Sequence, residues 1–339
     1  MKEFTINDKN EGQRLDKYLK KIMAACPTSV LYKSFRKKNI TVNDKKCQGN
    51  ELLKEGDLIK IFFSDETFDK FKSSAYESSQ TRSASLDNLS GSKNRADGQA
   101  KSKKANTSYR LKDLIIYEDE DFIFINKPAG LLTQKADKDD ISLNELLRDY
   151  CKEKGYASFG EYRPSCVNRI DRNTSGIVMC AKTYKGSRIL SDAIADHRLK
   201  KEYMALCHGC MEADITLNGY HVKDDKSNVS KVYKSLELVP KHQLELAKEI
   251  KTIIKPVKNN GLVSLVCVEL ITGKSHQIRT HLASIDHPLC GDIKYNGRPY
   301  KGRKYQLLHS YRLTFPVDER LGSISGKAIE AKLPNVYRI

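Results

Sequence analysis

At 339 residues with 39% hydrophobic content, the chain is long enough for two domains and can build a sizeable core in at least one. Its 60 Lys and Arg against 43 Asp and Glu leave a formal net charge of +17, which points to a polyanionic partner, nucleic acid ahead of a membrane surface. No apolar run approaches the roughly 18 residues of a membrane span, and the opening MKEFTINDKNEGQRLDKYL has no signal-peptide core, so a soluble cytoplasmic protein is expected.

The N-terminal part, residues 1–64, reads as a small α/β module. Leu15, Tyr18, Leu19 and Ile22 recur at helical spacing. Pro27-Thr28-Ser29 then breaks and re-caps the chain before a second short helix carrying Lys33, Arg36, Lys37 and Lys38. Ile40-Thr41-Val42 leads into an Asn43-Asp44 turn, and Gly56-Asp57 turns into a strand from Leu58 to Phe62. Residues 65–110, above all Ser73 to Ser108, are rich in Ser, Asn, Lys and Gly and hold almost no large apolar side chain. Such a segment cannot bury enough surface to fold and is expected to be a flexible linker.

From residue 111 to residue 339 the pattern changes. LIIYEDEDFIFINKPAGLL predicts two strands around an acidic turn, Glu118 to Asp121. Ile177 to Lys182 is an apolar run without a helical stripe and predicts a buried strand; a helix through Ile189 and Ile194 and a strand from Tyr203 to Cys207 follow. A strand from Leu262 to Ile271 and a helix from Ser275 to Ile285 come later. Successive strands without regular crossover helices predict an α+β domain with a mostly antiparallel central sheet and flanking helices.

Directly before the buried strand stands NRIDRNTSG, with Asp171 on a turn and Arg169 and Arg172 at its sides. A turn leading into a buried strand fixes the backbone and leaves the side chain free to face a cleft, and the two arginines are expected to surround the carboxylate with positive charge.

The N-terminal residues Arg14 to Leu19, Ile40 to Asn43 and Gly56 to Ile59, in that order, resemble the small RNA-binding fold named after ribosomal protein S-four. The C-terminal segments NKPAG at Asn126 to Gly130, NRIDRNTSG, KKEYMAL at Lys200 to Leu206, TGKSHQIRTHLASIDHPLCGDIKY at Thr272 to Tyr295 and LLHSYRLTFP at Leu307 to Pro316 resemble the RluA-type pseudouridine synthases of ribosomal and transfer RNA. Asn168 stands where that family more often has His, and Lys274 where Arg is frequent.

The resemblance implies an RNA partner, ribosomal before transfer, and a reaction that breaks the bond between uracil nitrogen and ribose, turns the base and rejoins it through carbon 5. Nothing is consumed, so no cofactor is expected. Asp171 would be the catalytic carboxylate, as a nucleophile or as a base at the ribose. Arg279 would pair with it, and Tyr203 would stack on the uracil and assist proton removal from carbon 5. Arg169 would enter the space left by the flipped base. Lys33, Arg36, Lys37 and Lys38 would grip RNA phosphates. A monomer is expected, and the rival reading is a non-catalytic RNA-binding assembly factor.

Other chemistries fit poorly. Nine scattered cysteines suggest reduced thiols, and Cys207-His208-Gly209-Cys210 lacks the second ligand pair of a zinc site, so no metal is expected. TGKS has Val268 where a phosphate-binding loop needs its first Gly, and Ser175 lacks the flanking glycines of a hydrolase elbow. His276 and His281, five residues apart, do not share one helical face.

Overall fold

The computed structural model describes residues 1–72, 109–137, 139–156, 162–224 and 229–339; the segment Ser73 to Ser108, expected to be a linker, lies outside them. The chain divides into one unit of Met1–Arg110 with Gly155–Arg163 and another of Leu111–Lys154 with Pro164–Ile339. Among the described residues no helix is long and apolar enough to cross a membrane.

The first unit runs β1 (Lys2–Thr5), α1 (Leu15–Ile22), α2 (Thr28–Arg36), β2 (Ile40–Val42), β3 (Lys45–Lys46), β4 (Leu58–Ile61) and α3 (Asp65–Phe71). Its sheet has the order β1-β4-β2-β3, with every pairing antiparallel. Leu15, Leu19 and Ile22 of α1 pack with Leu31 and Phe35 of α2 and with Ile59 and Ile61 of β4. The Arg14-Leu15-Asp16 motif locks the two helices: Arg14 donates to both Asp16 oxygens at 3.1 and 2.9 Å, and the Tyr32 hydroxyl donates to Asp16 at 3.0 Å.

Two details differ from the sequence expectation. Helix α2 ends at Arg36; Lys37 caps it and Lys38 takes φ +56°, so these two lysines sit on the turn beyond the helix, where the amides of Lys38 and Asn39 close back onto Phe35 and Ser34. Helix α3 lies within the stretch expected to be linker. Ser64 caps it through the Thr67 amide at 3.3 Å, and its buried Phe68 joins the unit's core, so ordered structure continues past residue 64.

The second unit comprises β5 (Ile115–Glu118), β6 (Phe122–Lys127), α4 (Leu143–Glu153), β7 (Ser165–Cys166), β8 (Ser175–Ala181), α5 (Tyr184–Ala195), β9 (Lys200–His208), β10 (Ile215–Asp224), β11 (Val229–Tyr233), β12 (Lys248–Asn259), β13 (Val263–Leu270), α6 (Gln277–Ala283), β14 (Leu308–Thr314) and β15 (Ala328–Glu330). One sheet of 11 strands has the path β11-β10-β12-β13-β9-β14-β8-β6-β5, with β15 added to β14 and β7 to β8. Among the described strands only β14 and β8 pair in parallel, so the sheet is mostly antiparallel and the class is α+β. Ile177 to Ala181 are fully buried, as a continuous apolar run in a central strand requires.

The parallel contact depends on Gly176. It pairs with Ser310 at φ +104°, and a Cβ there would lie 2.1 Å from the Ser310 carbonyl oxygen. The glycine that ends NRIDRNTSG therefore lets β14 lie against the strand that follows Asp171.

Candidate active site

Asp171 sits on the loop between β7 and β8, and that loop is tied down through its carbonyl groups. The Ile170 carbonyl accepts from Thr133 Oγ1 at 3.0 Å, the Asp171 carbonyl from the Thr174 amide at 3.1 Å, and the Arg172 carbonyl from the Gly130 amide at 2.9 Å and from Lys127 Nζ at 3.0 Å. Lys127 is fully buried and also donates to the carbonyls of Pro128 at 3.0 Å and Leu131 at 2.8 Å. Three carbonyls thus meet the three donors of one ammonium. Burial pulls its pKa down to about 7, with the charge of Asp171 acting the other way. This explains NKPAG at once: its lysine holds both its own turn and the loop of Asp171. The Asp171 side chain, 32% exposed, remains open to solvent.

The charge beside Asp171 comes from far along the chain. Arg279, on α6, donates Nη1 to Asp171 Oδ2 at 3.2 Å. Its Nε and Nη2 donate to the two oxygens of Asp292, both at 2.7 Å, and Asp292 is only 2% exposed. A bidentate carboxylate on one edge fixes the guanidinium plane and aims the other edge at Asp171. Burial works against the charge of Arg279, but its bonds to Asp292 and the charges of Asp292 and Asp171 prevail and its pKa rises. Beneath it lies the Tyr295 ring, 4.8 Å from the guanidinium carbon.

His276 completes the group. Its Nε2 is 3.7 Å from Asp171 Oδ2 and its Nδ1 is 2.7 Å from the Tyr295 hydroxyl, which accepts the Ser230 amide at 3.0 Å. The loop before α6 is pinned from β10 and β11, where His221 Nε2 and Ser230 Oγ both meet the Ser275 carbonyl, and Gln277 donates to Thr252 of β12 at 3.0 Å. The arrangement offers an anchored carboxylate with one cation on it, open on one side. Among the described residues no group of three or more His, Cys, Asp or Glu is placed to hold a metal ion.

Residues 121–284 match the RNA pseudouridylate synthase family. The chain is 32% identical to ribosomal large subunit pseudouridine synthase C of Rickettsia typhi over 326 residues, 95% of this chain and 94% of that one. The chain belongs to this pseudouridylate synthase family. It is an enzyme, an RNA pseudouridine synthase. An uncharacterized RNA pseudouridine synthase of Mycoplasma genitalium is 30% identical over 93% of this chain and 89% of its own length. Human RNA pseudouridylate synthase domain containing 4, at 21% identity and TM-score 0.53 over 67% of this chain and 91% of that one, shares the fold.

Of the motif residues, the structure brings together Asp171 and Arg279, with Nη1 3.2 Å from Oδ2. Tyr203 lies on β9, 8% exposed, between Val268 of β13 and Ser310 of β14. It is close enough to Asp171 for that charge to help raise its pKa, which burial chiefly pushes up to about 12. Such a phenol keeps its proton at neutral pH.

The expectation that Arg169 and Arg172 surround Asp171 with charge is corrected. Arg172 turns to Asp140 at 3.6 Å, and Arg169 points outward with no ion pair among the described residues. Alternate residues of a tight turn point different ways, so sequence neighbours are poor candidates for a shared contact. Ser175 bonds His309 at 2.8 Å, but His309 is fully buried and no substrate can reach the pair. Asp292, Tyr295 and His276 stood inside the synthase motifs without a role. In sequence Gly291-Asp292 reads only as a turn; the structure supplies its reason, a glycine at φ +82° whose Cβ would meet the Tyr305 carbonyl oxygen at 2.2 Å.

Proposed function

We propose that this synthase isomerises specific uridines of large-subunit ribosomal RNA, with Asp171 as the catalytic carboxylate at the ribose. The observation that carries the reading is the Asp171–Arg279–Asp292 chain of contacts, in which a half-open carboxylate is held by an arginine that a second, buried carboxylate has already fixed. The ribosomal substrate rests on the Rickettsia relatives, which are named for the ribosomal large subunit. A pseudouridine map of ribosomal and transfer RNA from cells with and without the protein tests it. Loss of sites in large-subunit RNA is expected; loss only in transfer RNA would refute the substrate, and loss nowhere would refute catalysis.

In this reading the target uridine leaves its stack, which costs a few kcal/mol, and the exposed Arg169 fills the vacated space. Asp171 attacks the sugar or takes a ribose proton, and Tyr203 supports the turned uracil by its ring. Tyr203→Phe is therefore expected to keep single-turnover rate within a few-fold. Tyr203→Ala is expected to lose roughly 5- to 150-fold, the worth of one base stacked on an aromatic ring. Equal, large losses in both variants would mean the hydroxyl does the work.

The basic face of the first unit serves as an RNA grip. Leu31 and Phe35 turn inward on α2, while Lys33 and Arg36, with Lys37 and Lys38 on the following turn, are exposed and have no ion pair among the described residues. Replacing all four by Glu is expected to weaken RNA binding and to leave the rate on saturating enzyme nearly unchanged. The salt dependence of binding should also fall, by about one unit of log-log slope for each phosphate that is no longer gripped. Gel-shift titrations at several salt concentrations read this out, and an unchanged slope would remove these residues from the interface.

A further inference from the structure

The chain of contacts through His276 is not used by the mechanism above. His276 adopts φ +60°, a left-handed conformation that few non-glycine residues take, at the N-terminus of α6. Its side chain is 10% exposed and wedged between Asp171 and Tyr295. Backbone strain of this kind persists only where the surroundings enforce it.

The hydrogens along the chain follow from what faces each end of the imidazole. The Tyr295 oxygen accepts the Ser230 amide, and burial raises the pKa of Tyr295, so the phenol keeps one hydrogen to give. Its other partners among the described residues are His276 Nδ1 and the Ser230 side chain, whose own hydrogen goes to the Ser275 carbonyl. If Nδ1 carried the hydrogen, the bare lone pair of Nε2 would face the Asp171 carboxylate, a repulsive pairing with no donor between them. The favoured arrangement has Tyr295 donating to Nδ1, which places the imidazole hydrogen on Nε2, facing the Asp171 carboxylate. At 3.7 Å that approach is too long for a hydrogen bond, and catalytic contacts often tighten only once substrate is bound.

We propose that His276 is a positioning residue: as a neutral imidazole with its hydrogen on Nε2, it closes onto Asp171 when RNA binds and, with Arg279, fixes the carboxylate at the ribose. This rests on the reading of Asp171 as the catalytic carboxylate. His276 faces Asp171 on one side, with Arg279 of α6 and Asp292, Lys294 and Tyr295 of the following turn around it. Burial, helped by Arg279 and Lys294 and opposed by Asp171 and Asp292, pulls its pKa down to about 4. The imidazole is therefore neutral across the physiological range, and its donor does not depend on protonation.

Two amide variants separate this role from a structural one. The Gln amide nitrogen reaches the place of Nε2, whereas the Asn amide reaches only that of Nδ1; Asn also tolerates the left-handed backbone better. His276→Ala and His276→Asn are expected to lower single-turnover rate on bound RNA roughly 10- to 100-fold, the loss of one hydrogen bond to a charged group, while His276→Gln stays within a few-fold of wild type. RNA affinity should hold in all three, and melting curves establish that each folds. A variant series in which Asn is as active as Gln, or Ala as active as wild type, overturns the proposal.

A second measurement needs no substitution at a catalytic group. In 15N-histidine spectra of the full chain at pH 7, with His276→Gln used to identify the signal, His276 should be neutral with its hydrogen on Nε2; an imidazolium or an Nδ1 hydrogen overturns it. The spectrum does not depend on the role of Asp171. Retained turnover in Asp171→Asn would remove the reading beneath the proposal without touching the hydrogen assignment.

Discussion

Asp171→Asn is expected to abolish nearly all pseudouridine formation, by several orders of magnitude per turnover, while RNA binding and folding survive. The swap keeps size and shape and removes the charge that a nucleophile or base at the ribose needs. Binding should hold because affinity comes from many phosphate contacts, and none of them is made by this carboxylate. Folding should hold for two reasons that the geometry supplies. The loop is tied through the carbonyls of residues 170, 171 and 172, which the substitution leaves in place. Arg279 keeps both of its 2.7 Å bonds to Asp292, so no buried cation is stranded, and the amide oxygen introduced by the substitution can still accept from Nη1. Gel shift, single-turnover assay and thermal melting on one preparation separate the three outcomes. A variant that binds and isomerises near the wild-type rate would end the assignment of Asp171.

The sequence made legible those parts of the fold whose signals are local. The run Ile177 to Ala181 reads as a buried strand because all five side chains are apolar, and β8 runs there. The Leu15, Leu19 and Ile22 stripe reads as a helix because its period is helical, and α1 runs there. Strands β10 and β12 escaped notice. Ile215–Asp224 and Lys248–Asn259 mix apolar with charged residues, since each shows solvent on part of its length, and such weak alternation becomes a strand only through pairing with neighbours far along the chain. Those strands, with β11, are what pin the loop before α6. The site shows the same division. Asp171, Tyr203 and Arg279 were visible as motif residues, but the partner of Arg279 was not, because a 2% exposed carboxylate in a Gly-Asp turn looks in sequence like an ordinary surface turn. Arg172 misled for the converse reason: its adjacency to Asp171 is sequential, and its contact is with Asp140.

Arg279→Met should be the variant that damages stability and chemistry together, and the two losses should be separable. Methionine matches the length of the arginine stem but leaves Asp292 as an uncompensated charge, almost fully buried, and breaking a buried pair from one side costs about 3–5 kcal/mol. A marked fall in melting temperature is expected, together with a large loss of turnover as Asp171 loses its 3.2 Å partner. Adding Asp292→Asn removes the stranded charge, so the double variant should melt well above Arg279→Met while remaining as inactive. Arg279→Lys provides the complementary case. It keeps the positive charge, yet one ammonium cannot grip both Asp292 oxygens and hold a third donor on Asp171, because that geometry belongs to the planar fork of the guanidinium. Its stability should fall less than that of Arg279→Met, and its turnover should drop roughly 10- to 100-fold, the worth of a charge-assisted hydrogen bond. If Arg279→Met and the double variant melted alike, the buried charge of Asp292 would not be the source of the instability. If Arg279→Lys turned over like wild type, any cation near Asp171 would suffice, and the fork held by Asp292 would have no part in aiming the carboxylate.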